Sequence, residues 1–389
     1  MPDIADIFRK EGGAYRERFG DRMLPSHHRV LRDIEQCRTA ALGGHLYLCT
    51  DCLQTEYAYH SCRNRHCPTC QGDRSQRWAE AQKRRCLPCD VFLFTFTLPE
   101  SLRPVARSQQ RKVYDLLLRC AAQSIQKLAG DPRFLGAQPG MIGILHTWTR
   151  DLRYHPHAHF LVTAGGLTED GRGWRKPRNP RFLLPGWALS PIFRAKVRDA
   201  LQAAGLDELV PKKAWKQGWV VHGKYAGTGD TLIAYLSRYL FRPPISNESI
   251  VRFEAGKVTF RYRDGASGNT KHCTVTSEAF LGRFLQHVLP RGFTRVRHYG
   301  CFSPGSVKKL ALARALLEGL QGAEPPNETS RNALDSESLE VGIDPIDAEL
   351  EAAAMLPERR CPFCRKGTMK RIAEIPRPPR PRFRERDPP

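Results

Sequence analysis

The chain has no long apolar run, and its first residues do not have the pattern of a secretory signal. No stretch approaches the roughly 20 consecutive apolar residues of a membrane-spanning helix. Residues 1–4 do not lead from a basic start into an apolar segment. These absences predict a cytoplasmic protein. In that reducing compartment the 13 cysteines are expected to be metal ligands or free thiols rather than disulfides.

Acidic residues are also scarce relative to basic ones. The sequence has 40 Asp and Glu against 62 Lys and Arg, a formal net charge of +22. Such an excess predicts an acidic polymer as partner, most simply nucleic acid. The alternative is a soluble basic protein without such a partner. With 389 residues, of which 41% are hydrophobic, the chain can bury a core in two or three domains.

Alternating histidines mark one short stretch, residues 154–162. Side chains two apart on a strand point to the same face, so His155, His157 and His159 would lie together. Neutral imidazoles placed side by side suit a divalent cation. The alternative is a solvated strand end, or histidines that are hydrogen-bonded within a core.

A second predicted strand, residues 141–148, precedes the histidine strand by a short turn. The two strands are expected to form an antiparallel hairpin, which could bring His146 towards the other histidines. A metal site usually needs at least three protein ligands or polar contacts, so His146 is the candidate third ligand of an ion bound by the histidines of the histidine strand. His155 competes for this role, and a single histidine on a strand can equally be structural.

Cysteines near the N-terminus have the spacing of zinc knuckles. Cys49-x2-Cys52 and Cys67-x2-Cys70 lie about fifteen residues apart, and four thiolates close a tetrahedron around Zn²⁺. So short a segment, with few large apolar residues, would depend on the ion to fold. These four cysteines are the expected zinc ligands, and buried free cysteines are the alternative. Further residues would allow a second site or ligand exchange: Cys37, His45, Cys62 and His66.

Two other cysteine pairs share the knuckle spacing. Cys86 and Cys89 directly precede a predicted central strand, residues 91–99, and are interpreted as packing residues. Cys361 and Cys364 form half a zinc site without an obvious local partner. The acidic segment 322–358 that precedes them is typical of a mobile linker, and the final Pro/Arg-rich residues are typical of an extended basic arm.

A predicted helix over residues 228–242 begins at a Thr or Asp cap and ends at a proline pair. Tyr235 and Tyr239 are four residues apart and therefore share one face of this helix. Two phenols so placed could act as paired nucleophiles, and the alternative is a pair of core-facing tyrosines. Arginines of this helix and of the cysteine-rich segment are candidate DNA contacts: Arg63, Arg65, Arg238 and Arg242.

Taken together, these stretches resemble the rolling-circle transposases of the insertion-sequence ninety-one type, which are two-tyrosine members of the HUH endonuclease superfamily. The resemblance covers residues 20–305. It rests on the order and spacing of residues 61–71, 94–99, 145–148, 155–159, the Tyr235 and Tyr239 pair, and residues 287–293.

The resemblance implies an α+β fold with an HUH-type central antiparallel sheet flanked by helices, an N-terminal zinc-binding module and a flexible C-terminal tail. The expected domains are residues 1–85 (N-terminal helices and zinc-binding module), 90–305 (catalytic domain) and 306–389 (helix, linker, cysteine knuckle and basic tail). It also implies that His157 and His159 are the HUH pair, and that Tyr235 and Tyr239 are the nucleophiles.

The implied function is a DNA transposase that nicks and rejoins single-stranded DNA, at element ends and target, through 5′-phosphotyrosine intermediates. Mg²⁺ or Mn²⁺ is the implied catalytic ion and Zn²⁺ the structural one. Such a protein is expected in the bacterial cytoplasm, associated with the nucleoid through DNA. The alternatives are a related HUH replication initiator or relaxase, and a zinc-dependent DNA-binding protein without nuclease activity.

Overall fold

The structure is a computed structural model that describes residues 2–70, 80–82, 85–228, 244–265, 267–319 and 359–379. Three sequence predictions fall outside this part of the chain. They are the helix with Tyr235, Arg238, Tyr239 and Arg242, the acidic segment 322–358, and the last ten residues of the basic arm.

The described residues form helices and strands, and the strands pair antiparallel. The strands are β1 (Gly44–Cys49), β2 (Thr55–Tyr59), β3 (Asp90–Thr97), β4 (Met141–Trp148), β5 (Tyr154–Thr163), β6 (Gly166–Leu167), β7 (Trp174–Arg175), β8 (Val220–Thr228), β9 (Ile250–Glu254), β10 (Lys257–Arg263), β11 (Thr270–Thr276), β12 (Val296–Tyr299), β13 (Arg359–Arg360) and β14 (Thr368–Ile375). The helices are α1 (Ile4–Phe19), α2 (Pro25–Gln36), α3 (Arg103–Ser108), α4 (Gln110–Gly130), α5 (Gly186–Ala203), α6 (Lys213–Lys216), α7 (Ser277–Leu285) and α8 (Val307–Leu317).

A five-stranded antiparallel sheet organises the middle of the chain, in the order β12-β4-β5-β3-β8. Helices α4 and α5 cover one face of it, where Phe96 of β3 packs edge-on against Phe160 of β5 and Phe193 of α5. On the opposite face, Ile142 and Leu161 pack with residues of α8. The α+β fold with a central antiparallel sheet flanked by helices is therefore confirmed.

A second core joins the N-terminal helices to the later part of the chain. Helices α1 and α2 pack against α7 and the three-stranded sheet β11-β10-β9. Phe8 of α1 meets Phe284 of α7 edge-on, with ring centroids 5.1 Å apart. The Asp3 side chain accepts a hydrogen bond from the backbone of Asp6 and so caps α1.

The C-terminal strand β14 lies in the sheet of the N-terminal module, whose order is β13-β14-β1-β2. It pairs antiparallel with β1, from Gly44 opposite Ile375 to Cys49 opposite Met369. Strands β13 and β14 thus belong to the sheet of the N-terminal module, whereas the sequence predicts a separate C-terminal part from residue 306 onwards. Among the helices of the described segments, none has the length and apolar character needed to cross a membrane.

Candidate metal centres and catalytic site

The register of β4 and β5 brings three histidines onto one face of the central sheet. His146 is the direct cross-strand partner of His157, and Ile144 is the partner of His159. The ligand atoms of His146, His157 and His159 all lie within 4.8 Å of one another. The hairpin and the approach of His146 are therefore as the sequence predicted.

Burial keeps these imidazoles neutral. It lowers the pKa of His157 to about 4 and that of His159 to about 3, because a charged ring loses its hydration. Burial also holds the pKa of His146 well below its usual range, and the neighbouring His159 adds to this effect. All three rings therefore keep a nitrogen lone pair near neutral pH, which is the form that binds a metal ion.

Hydrogen bonds at Nδ1 fix two of the three rings. The Nδ1 of His157 donates to the carbonyl oxygen of His155 at 2.7 Å, which places the proton on Nδ1. The Nδ1 of His159 shares a hydrogen bond of 3.0 Å with the Thr95 hydroxyl on β3. In both rings Nε2 remains as the ligand atom, as is usual where a second hydrogen bond orients a metal-binding histidine. Sequence reasoning missed Thr95, whose one local signal is that it is a polar residue within an aromatic strand.

His155, the competing third ligand, does not join this group. Its Nδ1 accepts a hydrogen bond of 2.9 Å from the Arg103 guanidinium at the start of α3. Arg103 also binds Glu100 at 2.8 Å. This contact turns His155 towards α3, so the geometry favours His146 over His155.

A tryptophan and an arginine border the histidine group. Trp148 stacks on His146 with ring centroids 4.9 Å apart, and the Arg295 guanidinium lies 4.9 Å from the centroid of Trp148. Arg295 also donates from Nε to the carbonyl oxygen of Leu145 at 3.1 Å. Burial lowers the pKa of Arg295 to about 9, so the guanidinium remains charged at neutral pH. A fixed positive charge beside neutral histidines suits an anionic ligand. The sequence pattern had indicated only a basic strand here.

Eight of the 13 cysteines form two groups of four, and the composition of these groups differs from the predicted one. The first group consists of Cys37, Cys62, Cys67 and Cys70. Three of its Sγ–Sγ distances, Cys37–Cys70, Cys62–Cys70 and Cys37–Cys67, are 3.6 Å. A tetrahedral centre with Zn–S bonds of about 2.3 Å has sulfur–sulfur edges of about 3.8 Å. The spacing of these thiols therefore fits a structural zinc ion.

The second group consists of Cys49, Cys52, Cys361 and Cys364. The predicted quartet is thus split, because Cys49 and Cys52 lie together but apart from Cys67 and Cys70. The physical reason is that the two cysteine pairs lie in segments with different packing partners. Cys67 and Cys70 face Cys37 at the end of α2, whereas β1 carries Cys49 to the knuckle next to its partner strand β14.

The two histidines named as further zinc ligands belong to neither group. His45 packs edge-on against His60, with ring centroids 4.9 Å apart. His66 accepts a hydrogen bond at Nε2 from the backbone of Leu289 at 3.3 Å. The other two suggested additions, Cys37 and Cys62, do complete a group.

The two described arginines among the DNA-contact candidates differ in their surroundings. Arg63 is exposed. Arg65 instead donates to the carbonyl oxygens of Phe293 at 2.7 Å and Pro290 at 3.0 Å. Arg65 and His66 thereby join the cysteine-rich segment to residues 289–293, which gives Arg65 a structural role.

Comparison with known proteins agrees with this arrangement. A family described as "Transposase zinc-binding domain" matches residues 7–98, and one described as "Putative transposase" matches residues 140–310. A "Putative transposase y4qJ" of Sinorhizobium fredii is 37% identical over 95% of this chain and 94% of its own length. The "Transposase for insertion sequence element IS801" of Pseudomonas savastanoi is 32% identical over 69% of this chain and 70% of its own. No solved structure matches the chain significantly.

The first matched family includes six of the eight grouped cysteines, and the second includes all three histidines of the group on β4 and β5. Two relatives above 30% identity cover more than two thirds of the chain. The chain therefore belongs to the insertion-sequence transposases of the ninety-one type.

Proposed function

We propose that the protein nicks and rejoins single-stranded DNA through 5′-phosphotyrosine intermediates and so drives rolling-circle transposition. The observation that carries this proposal is the group of His146, His157 and His159, whose ligand atoms lie within 4.8 Å of one another on one face of the sheet. This grouping gives the transposase a site where a divalent cation and a DNA phosphate can meet.

The donor set fits a divalent metal ion. Imidazole nitrogens bind first-row transition ions readily, which favours Mn²⁺ over Mg²⁺ for this site. When bound there, Mg²⁺ or Mn²⁺ would polarise the scissile phosphate as a Lewis acid. The protein supplies the orientation: the His155 carbonyl holds the ring of His157, and Thr95 holds the ring of His159. The charged Arg295 guanidinium supplies further attraction for the phosphate.

Tyr235 and Tyr239 are the proposed nucleophiles. The phenol oxygen of one tyrosine forms a bond to phosphorus, the bond to the 3′-oxygen breaks, and the phenol proton passes to the departing 3′-hydroxyl. Attack by a 3′-hydroxyl on the phosphotyrosine reverses these steps, so rejoining needs no ATP. Two tyrosines permit two successive transfers, one for the donor strand and one for the target strand.

The chain on either side of the tyrosines supports this assignment. Strand β8 ends at Thr228, seven residues before Tyr235, and its His222 is the cross-strand partner of Thr95. After them, Ile245 packs in the second core with Leu152, which lies in the turn between the two histidine strands. The described residues on either side of the tyrosine segment therefore belong to elements that contact the histidine hairpin.

Structural zinc is assigned to Cys37, Cys62, Cys67 and Cys70, all of which lie within the matched zinc-binding domain. The net charge of +22 supports DNA as the partner, in the cytoplasm of the bacterial cell. We retain residues 1–85 and 90–305 as the zinc-binding and catalytic domains.

The test is cleavage of an end-labelled, single-stranded oligonucleotide from the element terminus in the presence of Mn²⁺. The expected result is a shortened strand with a free 3′-hydroxyl and a protein–DNA adduct that survives denaturation. Tyr235→Phe/Tyr239→Phe should bind the same oligonucleotide without forming the adduct. Adducts formed by the double variant would refute the tyrosine mechanism. DNA binding without any cleavage by the wild type would indicate a zinc-dependent binding protein, and cleavage only at a plasmid origin would indicate a replication initiator or relaxase.

A further inference from the structure

The knuckle at Cys361 and Cys364 has a partner at the opposite end of the chain. The Sγ of Cys49 lies 3.7 Å from that of Cys364, and the Sγ of Cys52 lies 3.6 Å from that of Cys361. These distances far exceed the roughly 2.05 Å of a disulfide bond. They match the sulfur–sulfur edge of about 3.8 Å that follows from tetrahedral Zn–S bonds of about 2.3 Å. The matched zinc-binding domain, residues 7–98, includes only half of this group.

We propose that Cys49, Cys52, Cys361 and Cys364 form a second structural zinc site, which fastens the C-terminal knuckle to the N-terminal module. Four cysteine thiolates are a standard ligand set of closed, structural zinc sites. The zinc-binding domain of this chain would then be discontinuous, because its final ligands follow the catalytic domain.

The two knuckles share two local features, a left-handed residue after the second cysteine and backbone N–H groups that point at sulfur. In each, the residue after the second cysteine adopts a left-handed conformation, with φ of +57° at Leu53 and +59° at Arg365. Each knuckle also directs backbone N–H groups at sulfur: Cys52 donates to the Sγ of Cys49 at 3.5 Å, and Gly367 donates to the Sγ of Cys364 at 3.4 Å. Such hydrogen bonds stabilise a thiolate over a thiol. The matching geometry is expected of two half-sites that hold one ion.

The two halves approach closely enough to require a glycine. A Cβ atom added at Gly367 would lie 2.6 Å from the Sγ of Cys49 and 2.9 Å from the side chain of Asp51. The C-terminal knuckle also bonds to the backbone of the first, since Thr50 donates to the carbonyl oxygen of Thr368 at 3.0 Å. The surrounding backbone thus places the sulfur atoms of the two knuckles close to one another.

Apolar packing at this end of the molecule is too small to replace a metal ion. Among the residues that the structure describes, the buried part of the local cluster comprises Cys49, Cys361 and Met369. Most of β14 is exposed, and the ion pair of Arg359 with Glu56, at 3.0 Å, is partly solvated. Exposed ion pairs add little stability. Small segments with so little core commonly depend on metal binding to fold.

The metal content of the full-length protein tests the proposal. We expect two zinc ions per chain by inductively coupled plasma mass spectrometry, and one in Cys361→Ala/Cys364→Ala. The matched control is Cys86→Ala/Cys89→Ala, because this pair has the same C-x2-C spacing but belongs to neither thiol group. The control should retain two zinc ions. One zinc in the wild type, two in the Cys361/Cys364 variant, or iron in place of the second zinc would overturn the assignment.

A second measurement guards against a variant that fails to fold. In zinc-loaded wild-type protein, iodoacetamide should leave Cys361 and Cys364 unmodified, although Cys364 is partly exposed. After removal of the metal with a chelator, Cys49, Cys52, Cys361 and Cys364 should become alkylated. Rapid alkylation of Cys361 and Cys364 before chelation would contradict the site. Neither readout depends on DNA cleavage, so this proposal and the proposed function can fail separately.

Discussion

His146 and His157 face each other directly across the β4–β5 ladder, with ring centroids 5.5 Å apart and ring planes at 90°. This pairing, rather than the alternation of histidines along β5 alone, produces the three-histidine group. A slip of one residue in the register would move His146 to the face covered by α4 and α5. The turn between the strands therefore has a direct part in building the site.

Removal of one imidazole from the group should abolish metal-dependent cleavage. We expect His157→Ala to lower the rate of Mn²⁺-dependent strand cleavage by at least about 100-fold, since the cation loses a ligand that supports Lewis-acid catalysis. His155→Ala is the matched control from the same strand. His155 accepts the hydrogen bond from His157 with its backbone carbonyl oxygen, so this variant keeps that contact and should cleave within a few-fold of wild type. Equal losses in both variants would contradict the assigned ligands.

The hydroxyl of Thr95 should tune metal affinity through the ring it orients. Thr95→Val removes the hydrogen bond to the Nδ1 of His159 while preserving side-chain shape. Loss of such a partner typically weakens metal binding by about 10–100-fold. Titration of cleavage against Mn²⁺ concentration should therefore show a higher half-saturating concentration with a largely preserved maximal rate. Thr97→Val, two residues along the same face of β3, serves as the control and should stay near wild type. An unchanged Mn²⁺ requirement in Thr95→Val would count against this role.

Buried histidines should make the fold less stable in mild acid. Burial lowers the pKa of His287 to about 3, so the folded protein leaves this ring neutral at pH 5. The unfolded chain, with a histidine pKa of about 6.5, takes up the proton there. Stability from this residue is thus complete above about pH 6.5 and falls progressively down to about pH 3, by about 2 kcal/mol at pH 5.

Urea unfolding at pH 7.5 and pH 5 measures this effect. His287→Gln should lose stability at both values but show a shallower decline towards pH 5 than the wild type. His272→Gln, at an exposed position on β11, should keep the wild-type decline. A decline that is equally steep in His287→Gln would show that other groups account for the pH dependence.

Arginines from both ends of the chain line one cavity that should contact DNA. Its volume is about 760 Å³, and its lining includes Arg29, Arg32, Arg63 and Arg377. Loss of one phosphate contact should reduce the slope of log affinity against log salt by about 0.7 for single-stranded DNA. We expect this change in Arg63→Ala, measured by fluorescence anisotropy across a salt series. Arg198→Ala, an exposed arginine beside Asp199, should leave the slope unchanged. If Arg63→Ala and the wild type had equal slopes of log affinity against log salt, Arg63 would be excluded from the DNA interface.

The parts of this fold that the sequence revealed are those with local signals. The strand predicted over residues 141–148 is Met141–Trp148, and the alternating aromatic run before Pro99 is β3. Period-two patterns and prolines act over a few residues, so they identify strands and their ends without knowledge of the fold. The approach of His146 followed from the short turn alone.

The division of the cysteines could not be read in the same way. Four knuckle half-sites have equivalent spacing, and only the pairing of β14 with β1 determines that Cys361 joins Cys49. This pairing links residues more than 300 positions apart, and no local pattern encodes it. The hydrogen bond from Arg103 to His155 is likewise a tertiary contact that removes one of four plausible ligands.

The most direct test of the catalytic account is to locate the covalent DNA attachment. Wild-type protein would be incubated with Mn²⁺ and a single-stranded terminus of the element, digested with nuclease and protease, and analysed by mass spectrometry. The account predicts a nucleotide joined through a 5′-phosphate to Tyr235 or Tyr239, and its absence in His157→Ala. Attachment to another residue, or cleavage that leaves a free 5′-phosphate without any protein adduct, would contradict it.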